Sequence, residues 1–226
     1  MELPALLELL YSATDRSRTV CATVHRVNDQ ARELDLLKAR GLYRDPPQIP
    51  PEEGWWDQPS RVRVIETTTR LWAARPHRLR WETTFTTDGM NERTSVGVKD
   101  HELYWQRLGD GQVDTNEGRA AESTMTTAEE LLLDPSPLLG TYMFEIRGST
   151  SLLDREGCSV AASRRYGAHT HAFGPLSDEL ALVVDEQRGV LLRAAVAVDG
   201  EELSYSEMRE IAFDEDVARD LFLPLR

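Results

Sequence analysis

The sequence predicts a mainly β (α+β) protein, a strongly curved antiparallel sheet whose concave side is covered by helices. Three observations carry this. Segments rich in β-branched and aromatic residues recur along most of the chain. At 78–87, Leu79, Trp81, Thr83 and Phe85 alternate with Arg80, Glu82 and Thr84, the period-2 pattern of a sheet with one apolar face. Asp88-Gly89 and Asp199-Gly200 close strand-like segments with hairpin chemistry.

A length of 226 residues suits one domain, and 40% hydrophobic residues is ordinary globular composition. No apolar run approaches the ~18 residues of a transmembrane helix. The net charge of −13 repels phosphate backbones and anionic membrane surfaces, so neither nucleic acid nor a peripheral membrane site is expected. Excess acid also keeps a protein soluble. Cys21 and Cys158 lie far apart and in no CxxC pair, which reads as two isolated buried thiols.

The N-terminus has Leu3, Leu6, Leu7 and Leu10 at i, i+3, i+4, i+7, one face of a helix over 3–13. Glu2 and Glu8 interrupt it, and it has neither a basic n-region nor a cleavage site. It reads as an amphipathic helix without a signal peptide, and the expected location is cytoplasmic. The first strand is 19–27. Residues 29–43 read as a helix capped by Asp29 and ending near Gly41. Prolines 46, 47, 50, 51 and 59 then break all periodicity, so about 29–60 is an excursion between strands within a single domain spanning 1–226. Strands follow at 61–74, 78–87, 93–99 and 102–108, and 109–126 is a polar separator. Thr126 or Thr127 caps a short helix with Glu129 and Glu130 in its first turn, and Asp134-Pro135-Ser136-Pro137 stops it. Further strands fall at 142–149, 158–166, 178–186, 190–198 and 203–213, before a short helical segment at 215–221. Strands in such number must close or curl to protect their edges, and the helices at 3–13 and 127–140 are the natural covers.

Chemistry-bearing motifs are sparse. His169-Thr170-His171 places two imidazoles on one side of a strand, but no third ligand has matching spacing, so no metal site is assigned. GxSxG, HExxH, Walker A and GxGxxG are all missing, and no carboxylate pair can be nominated. The reading is therefore non-enzymatic and without cofactor. Arg61, Arg63, Arg70, Arg75, Arg78 and Arg80 read as a solvated face paired across strands with Glu66 and Glu82. Trp55 and Trp56 stand together in the Pro-rich segment, where two indoles need apolar cover or form a lid or docking tip.

The C-terminal third carries a resemblance. Glu179-Leu180-Ala181-Leu182-Val183-Val184-Asp185-Glu186-Gln187-Arg188-Gly189-Val190-Leu191-Leu192-Arg193 leads to Asp199-Gly200-Glu201-Glu202, then Ile211-Ala212-Phe213-Asp214-Glu215 and Leu221-Phe222. This resembles the ending of actinobacterial LolA-like proteins, which share the fold of the lipoprotein carrier LolA, of RseB-type domains and of mycobacterial lipoproteins. Arg75–Glu82, Tyr104-Trp105, Thr115–Gly118 and Leu131–Gly140 add weaker matches. The resemblance implies an unclosed half β-barrel with helices as a lid and a concavity for acyl chains or other apolar ligands. It departs from the carriers in having no secretion signal.

Two readings follow. In the first, the protein binds a lipid, acyl chain or other apolar small molecule without catalysis. Its cavity would be lined by Leu79, Trp81, Phe85, Val96, Val98, Leu103, Trp105, Phe144, Leu182 and Leu192, with Trp55 and Trp56 as lid. In the second, the concavity is filled and the fold serves as a protein–protein interaction or regulatory module. An empty volume between sheet and helices discriminates the two.

Overall fold

The computed structural model describes residues 1–42, 64–75, 78–87, 93–100, 103–109, 111–117, 127–166 and 173–224. In chain order its elements are α1 (Leu3–Tyr11), a 3-10 turn (Ala13–Arg16), β1 (Thr19–Asn28) and α2 (Gln30–Ala39). The first meander is β2 (Ile65–Ala74), β3 (Arg78–Thr87), β4 (Arg93–Lys99), β5 (Leu103–Arg107) and β6 (Val113–Glu117). Then come α3 (Ala128–Leu133) and α4 (Leu138–Thr141). The second meander is β7 (Tyr142–Leu152), β8 (Arg155–Arg164), β9 (Glu179–Asp185), β10 (Leu191–Val198) and β11 (Glu201–Phe213), followed by a 3-10 turn (Arg219–Phe222). Trp55, Trp56, Asp88-Gly89 and the His169/His171 pair lie outside the described residues.

Local chemistry places the boundaries. The Asp29 carboxylate accepts from the Arg32 amide at 3.0 Å and starts α2; Gly41, at φ +65°, follows its end. Thr127 and Glu130 form a reciprocal capping box on α3. Asp199 and Gly200 both take positive φ, 53° and 81°, as a type I′ hairpin requires. The β7–β8 hairpin uses the same geometry at Leu153 and Asp154, a pair without glycine that the sequence reading did not single out. β6 was also missed. It is a mostly exposed edge strand inside the segment read as a polar separator.

The eleven strands among the described residues form one open antiparallel sheet in the order β6-β5-β4-β3-β2-β1-β11-β10-β9-β8-β7. Register shifts at Thr23/Val24, Val196/Ala197, Leu191/Arg193 and Ile146/Gly148 bend the strands and sharpen the twist, which curls the sheet. β6 and β7 are opposite edges, so α3 and α4 carry the chain across the concave face.

The core lies under that crossing. Leu131, Leu132 and Leu133 of α3, Leu138 of α4, and Leu6, Leu9 and Leu10 of α1 pack with Val160, Leu180, Leu182, Val184, Leu192 and Val196 from the second meander. The covers predicted at 3–13 and 127–140 are therefore in place. The buried face of α1 is Leu6, Leu9, Leu10, continued by Ala13, whereas Leu3 and Leu7 are 42% and 36% exposed. Leucine occurs on several sides of this helix, and tertiary packing chooses among them. α2 adds Leu36 and Leu37 to the core and is held by Arg32–Glu201 and Arg40–Asp178 ion pairs.

The Arg188-Gly189 turn seats α1. Gly189 has φ +76°, and a Cβ there would collide with the Leu9 carbonyl. Arg188 also donates to the Arg16 carbonyl. Gly189→Ala combines a disfavoured φ with a backbone clash. It should lower stability by at least ~1–2 kcal/mol, read as a drop in urea midpoint at unchanged slope.

Asp214 ties the end of β11 to the start of β1. Its carboxylate accepts from the Arg18 amide at 2.7 Å and pairs with Arg188 at 3.1 Å. The Arg18 N–H, then the Arg188 charge, hold its pKa below the ordinary 3.8. A depressed carboxylate stabilises fully above its unfolded pKa, and the contribution fades as pH falls through the lower folded value. Asp214→Asn should therefore lower Tm at pH 7, with the gap closing as the pH is taken below about 4. A gap independent of pH would refute this role.

Candidate functional site

Three inward stripes of the first meander line up across the strands. Ala73, Leu79, Lys99 and Tyr104 form one row; Leu71, Trp81, Gly97 and Gln106 the next; Val24, Thr69, Thr83 and Ser95 a third. Thr67 and Phe85 sit opposite each other in the row beyond. Apart from Val24, Ala73 and Gly97, these residues floor a cavity of about 330 Å³, at the small end of the ~300–1,000 Å³ usual for ligand pockets. Its remaining described walls come from Arg26 and Asn28 at the end of β1, Gln30, Ile65, and Thr127, Glu129 and Glu130 at the start of α3.

The floor is partly aromatic. A Cβ at position 97 would fall inside the Trp81 ring, so the indole lies flat across β4 where only glycine leaves room. Tyr104 stands beside it, ring centroids 5.9 Å apart and planes at 35°. The Tyr104 hydroxyl donates to Gln106 Oε1 at 2.5 Å. Burial, with Asp114 and Glu130 nearby, pushes the phenol pKa up and keeps it a neutral donor.

The rest of the floor is polar. Thr69 and Thr83 hydroxyls bond each other at 3.0 Å. Thr67 and Ser95 are 8% and 4% exposed, and neither hydroxyl has a partner among the described residues. At the α3 end the charges are paired: Lys99 Nζ to Glu130 Oε1 at 3.1 Å, and Arg26 to Glu129 at 3.8 Å. Glu130 uses its other oxygen to accept from the Thr127 amide, so the capping box also positions this acid at the cavity wall. Among the described residues no three His, Cys, Asp or Glu side chains gather as a metal site would require.

Of the residues nominated from sequence, Leu79, Trp81 and Phe85 line this cavity. Val96, Val98, Leu103 and Trp105 do not; they occupy the alternate positions and face the outer side of the sheet. The misassignment has a physical cause. The C-terminal 3-10 turn packs on the outer side of β3, with Arg80 donating to the Leu221 carbonyl at 2.9 Å. Arg80, Val98 and Trp105 share one cross-strand row there and are 6%, 1% and 8% exposed. Arg80 is thus buried rather than solvated, and its Glu82 partner lies on the same strand. Leu182 and Leu192 are fully in the core, and Phe144 is half-buried against it, because helices fill the concavity over the second meander.

Thr67, Thr69, Thr83, Ser95, Lys99, Tyr104, Gln106, Glu129 and Glu130 were missed as lining residues. One signal existed on β2: Thr67, Thr69, Leu71 and Ala73 form a single alternating stripe whose apolar end is unmistakably inward.

The class that this architecture defines is the LolA-like fold, an open antiparallel sheet wrapped over helices. No family model and no curated protein matches the sequence. Among solved structures, an uncharacterised conserved protein from Thermus thermophilus superposes with TM-score 0.52 at 11% identity, covering 95% of this chain and 90% of that one. MucB gives 0.50 at 15% identity over 98% of this chain and 62% of that one. The Pseudomonas aeruginosa MucA/MucB complex gives 0.50 at 13% identity over 97% and 59%. The chain thus spans about three fifths of the length of the chains matched in these two MucB structures. Identities this low establish the fold alone.

The Trp81–Gly97 packing makes a direct prediction. Gly97→Ala should drive the indole off β4, changing the near-ultraviolet circular dichroism and costing about 1–3 kcal/mol of stability by overpacking. Unchanged aromatic ellipticity would show that Trp81 does not rest on residue 97.

Proposed function

We propose that this chain is a non-catalytic binding protein that holds one small molecule between the first meander and the start of α3. The supporting observation is the division of the concave face. Over the second meander it is packed with leucines; over the first it encloses about 330 Å³ with a Trp–Tyr wall. Affinity would come from apolar area on Leu79, Trp81 and Phe85, offset by the cost of ordering the ligand. The cargo fits a compact amphipathic molecule better than a purely hydrocarbon one, since hydroxyls and paired charges share the lining.

An interaction module is the second reading. Leu3, Leu7 and Tyr11 leave an exposed apolar stripe on α1, and the similar MucB is known in complex with MucA. The stripe and the cavity are separate surfaces, so the two readings are tested separately.

The neutral fluorophore N-phenyl-1-naphthylamine tests the cavity. It should bind one-to-one with a Kd on the order of micromolar and with enhanced emission. Ser95→Trp, which fills the floor, should abolish that binding in a protein that still melts cooperatively. No enhancement in the native chain, or equal binding by the Trp variant, would remove the cavity reading.

A further inference from the structure

The lining of the cavity carries the argument to a ligand class, on the condition that the cavity binds a ligand at all. We infer that this ligand is a neutral polyhydroxylated ring, of which a pyranose sugar is the type, lying face-on against Trp81.

Three independent features meet there. The first is the pair of unpartnered hydroxyls. Thr67 and Ser95 are more than nine-tenths buried, border the cavity and have no hydrogen-bond partner among the described residues. Both border the cavity, so whatever fills it, water or ligand, can satisfy their hydroxyls. A hydroxyl both donates and accepts, and ring hydroxyls are its natural complement. Ser95, Thr83 and Thr69 lie directly opposite one another on β4, β3 and β2, strands about 4.8 Å apart, so their hydroxyls share one cross-strand row, within which Thr69 and Thr83 bond each other at 3.0 Å. Gln106, which accepts from Tyr104, adds an amide at one margin, and Asn28 and Gln30 add two more at the other.

The second feature is the platform. The Trp81 indole lies flat over Gly97 with Tyr104 tilted beside it. A flat, electron-rich face takes the C–H side of a saturated ring or the face of a planar one. The third feature is the charge balance. Arg26 and Lys99 already face Glu129 and Glu130, so an anionic head would meet two carboxylates and a cationic head two positive groups. A neutral molecule avoids both conflicts.

A straight acyl chain matches none of this. Its methylenes would cover Thr67 and Ser95 while leaving both hydroxyls unpaired, and its carboxylate would enter beside Glu129 and Glu130. The volume of about 330 Å³ also suits one compact molecule.

Calorimetric titration of the full chain with three probes tests the inference: methyl β-D-glucopyranoside, octyl β-D-glucopyranoside below its micellar concentration, and octanoate. The octyl glucoside should bind at one site at least about ten-fold more tightly than octanoate. Binding of the methyl glucoside as well identifies a free ring as sufficient; binding of the octyl compound alone identifies a ring carried on an alkyl tail. Thr67→Val and Ser95→Ala, each checked for cooperative melting, should cut the preference for glucoside over octanoate by about ten-fold. Octanoate binding as tightly as octyl glucoside, or a preference untouched in both variants, would overturn the inference. So would failure of both glucosides on protein that still binds N-phenyl-1-naphthylamine, an outcome that leaves the cavity reading standing. Failure of the fluorophore itself would end both.

Discussion

β1 pairs with β2 on one side and β11 on the other, so the first and last strands of the chain share the middle of the sheet. The β1–β11 register runs from Val20 opposite Phe213 to Asn28 opposite Ser204, and Asp214 fastens its outer end to Arg18. Everything else is arranged around that seam. A chain that starts in the middle and walks outward, by the long connection holding α2 and then by shorter links, reaches one edge at β6. To finish beside its starting strand, it must cross to the other edge and walk back. The crossing segment lies on one face, and the face it takes becomes the inside. Here it carries Leu131, Leu132, Leu133 and Leu138, which need burial.

The same topology does not say how much of the concavity is filled; side-chain chemistry decides that. Inward positions on β8, β9 and β10 are Val160, Ala162, Leu180, Leu182, Ala194 and Val196. Inward positions on β2, β3 and β4 include Thr67, Thr69, Thr83, Ser95 and Gly97. Leucines of α1, α3 and α4 gain by covering the first set. Covering the second with leucine would strand hydroxyls at ~1–3 kcal/mol each. The helices therefore pack on the apolar half, and the space over the hydroxyls remains. The cavity and the core are two outcomes of one sheet meeting two compositions.

This also explains what could be read from sequence. Strand existence and turns depend on neighbours in the chain, and the alternation at 78–87, the Asp29 and Thr127 caps and the Asp199-Gly200 hairpin all stand where their chemistry puts them. Which face of a strand looks inward is a long-range property. On β3 only one face is mostly apolar, so Leu79, Trp81 and Phe85 were legible. On β4 and β5 the apolar residues Val98 and Trp105 are buried on the outer side, in the row shared with Arg80, which bonds the turn Arg219–Phe222 more than a hundred residues later in the sequence. Hydrophobicity reports burial without saying against what. The true inward stripe of β4, Ser95-Gly97-Lys99, looks solvent-facing in sequence because its partners are hydroxyls, an indole and Glu130. The exposed strand β6, with Val113 as its one apolar residue, left no alternating hydrophobic signal.

Gly97 is where fold and site become the same question. A glycine inside a strand weakens it, having no side chain to pack. On β4 the loss is offset by the Trp81 indole, which covers the bare backbone from the neighbouring strand, a packing that also pins the β3–β4 register. A register slip of one residue would place Val96 or Val98 beneath the ring and turn Trp81 away. The aromatic platform is therefore positioned by sheet hydrogen bonds, and the hydroxyl row beside it by the same ladder. Groups held on strands in this way lose little further freedom when a ligand arrives, so more of their interaction survives as affinity. The charged wall is set independently, by the Thr127–Glu130 capping box at the start of α3, which the crossing between sheet edges delivers to this place. Sheet register supplies the floor and chain topology supplies the wall; the cavity exists because the β1–β11 seam fixes both at once.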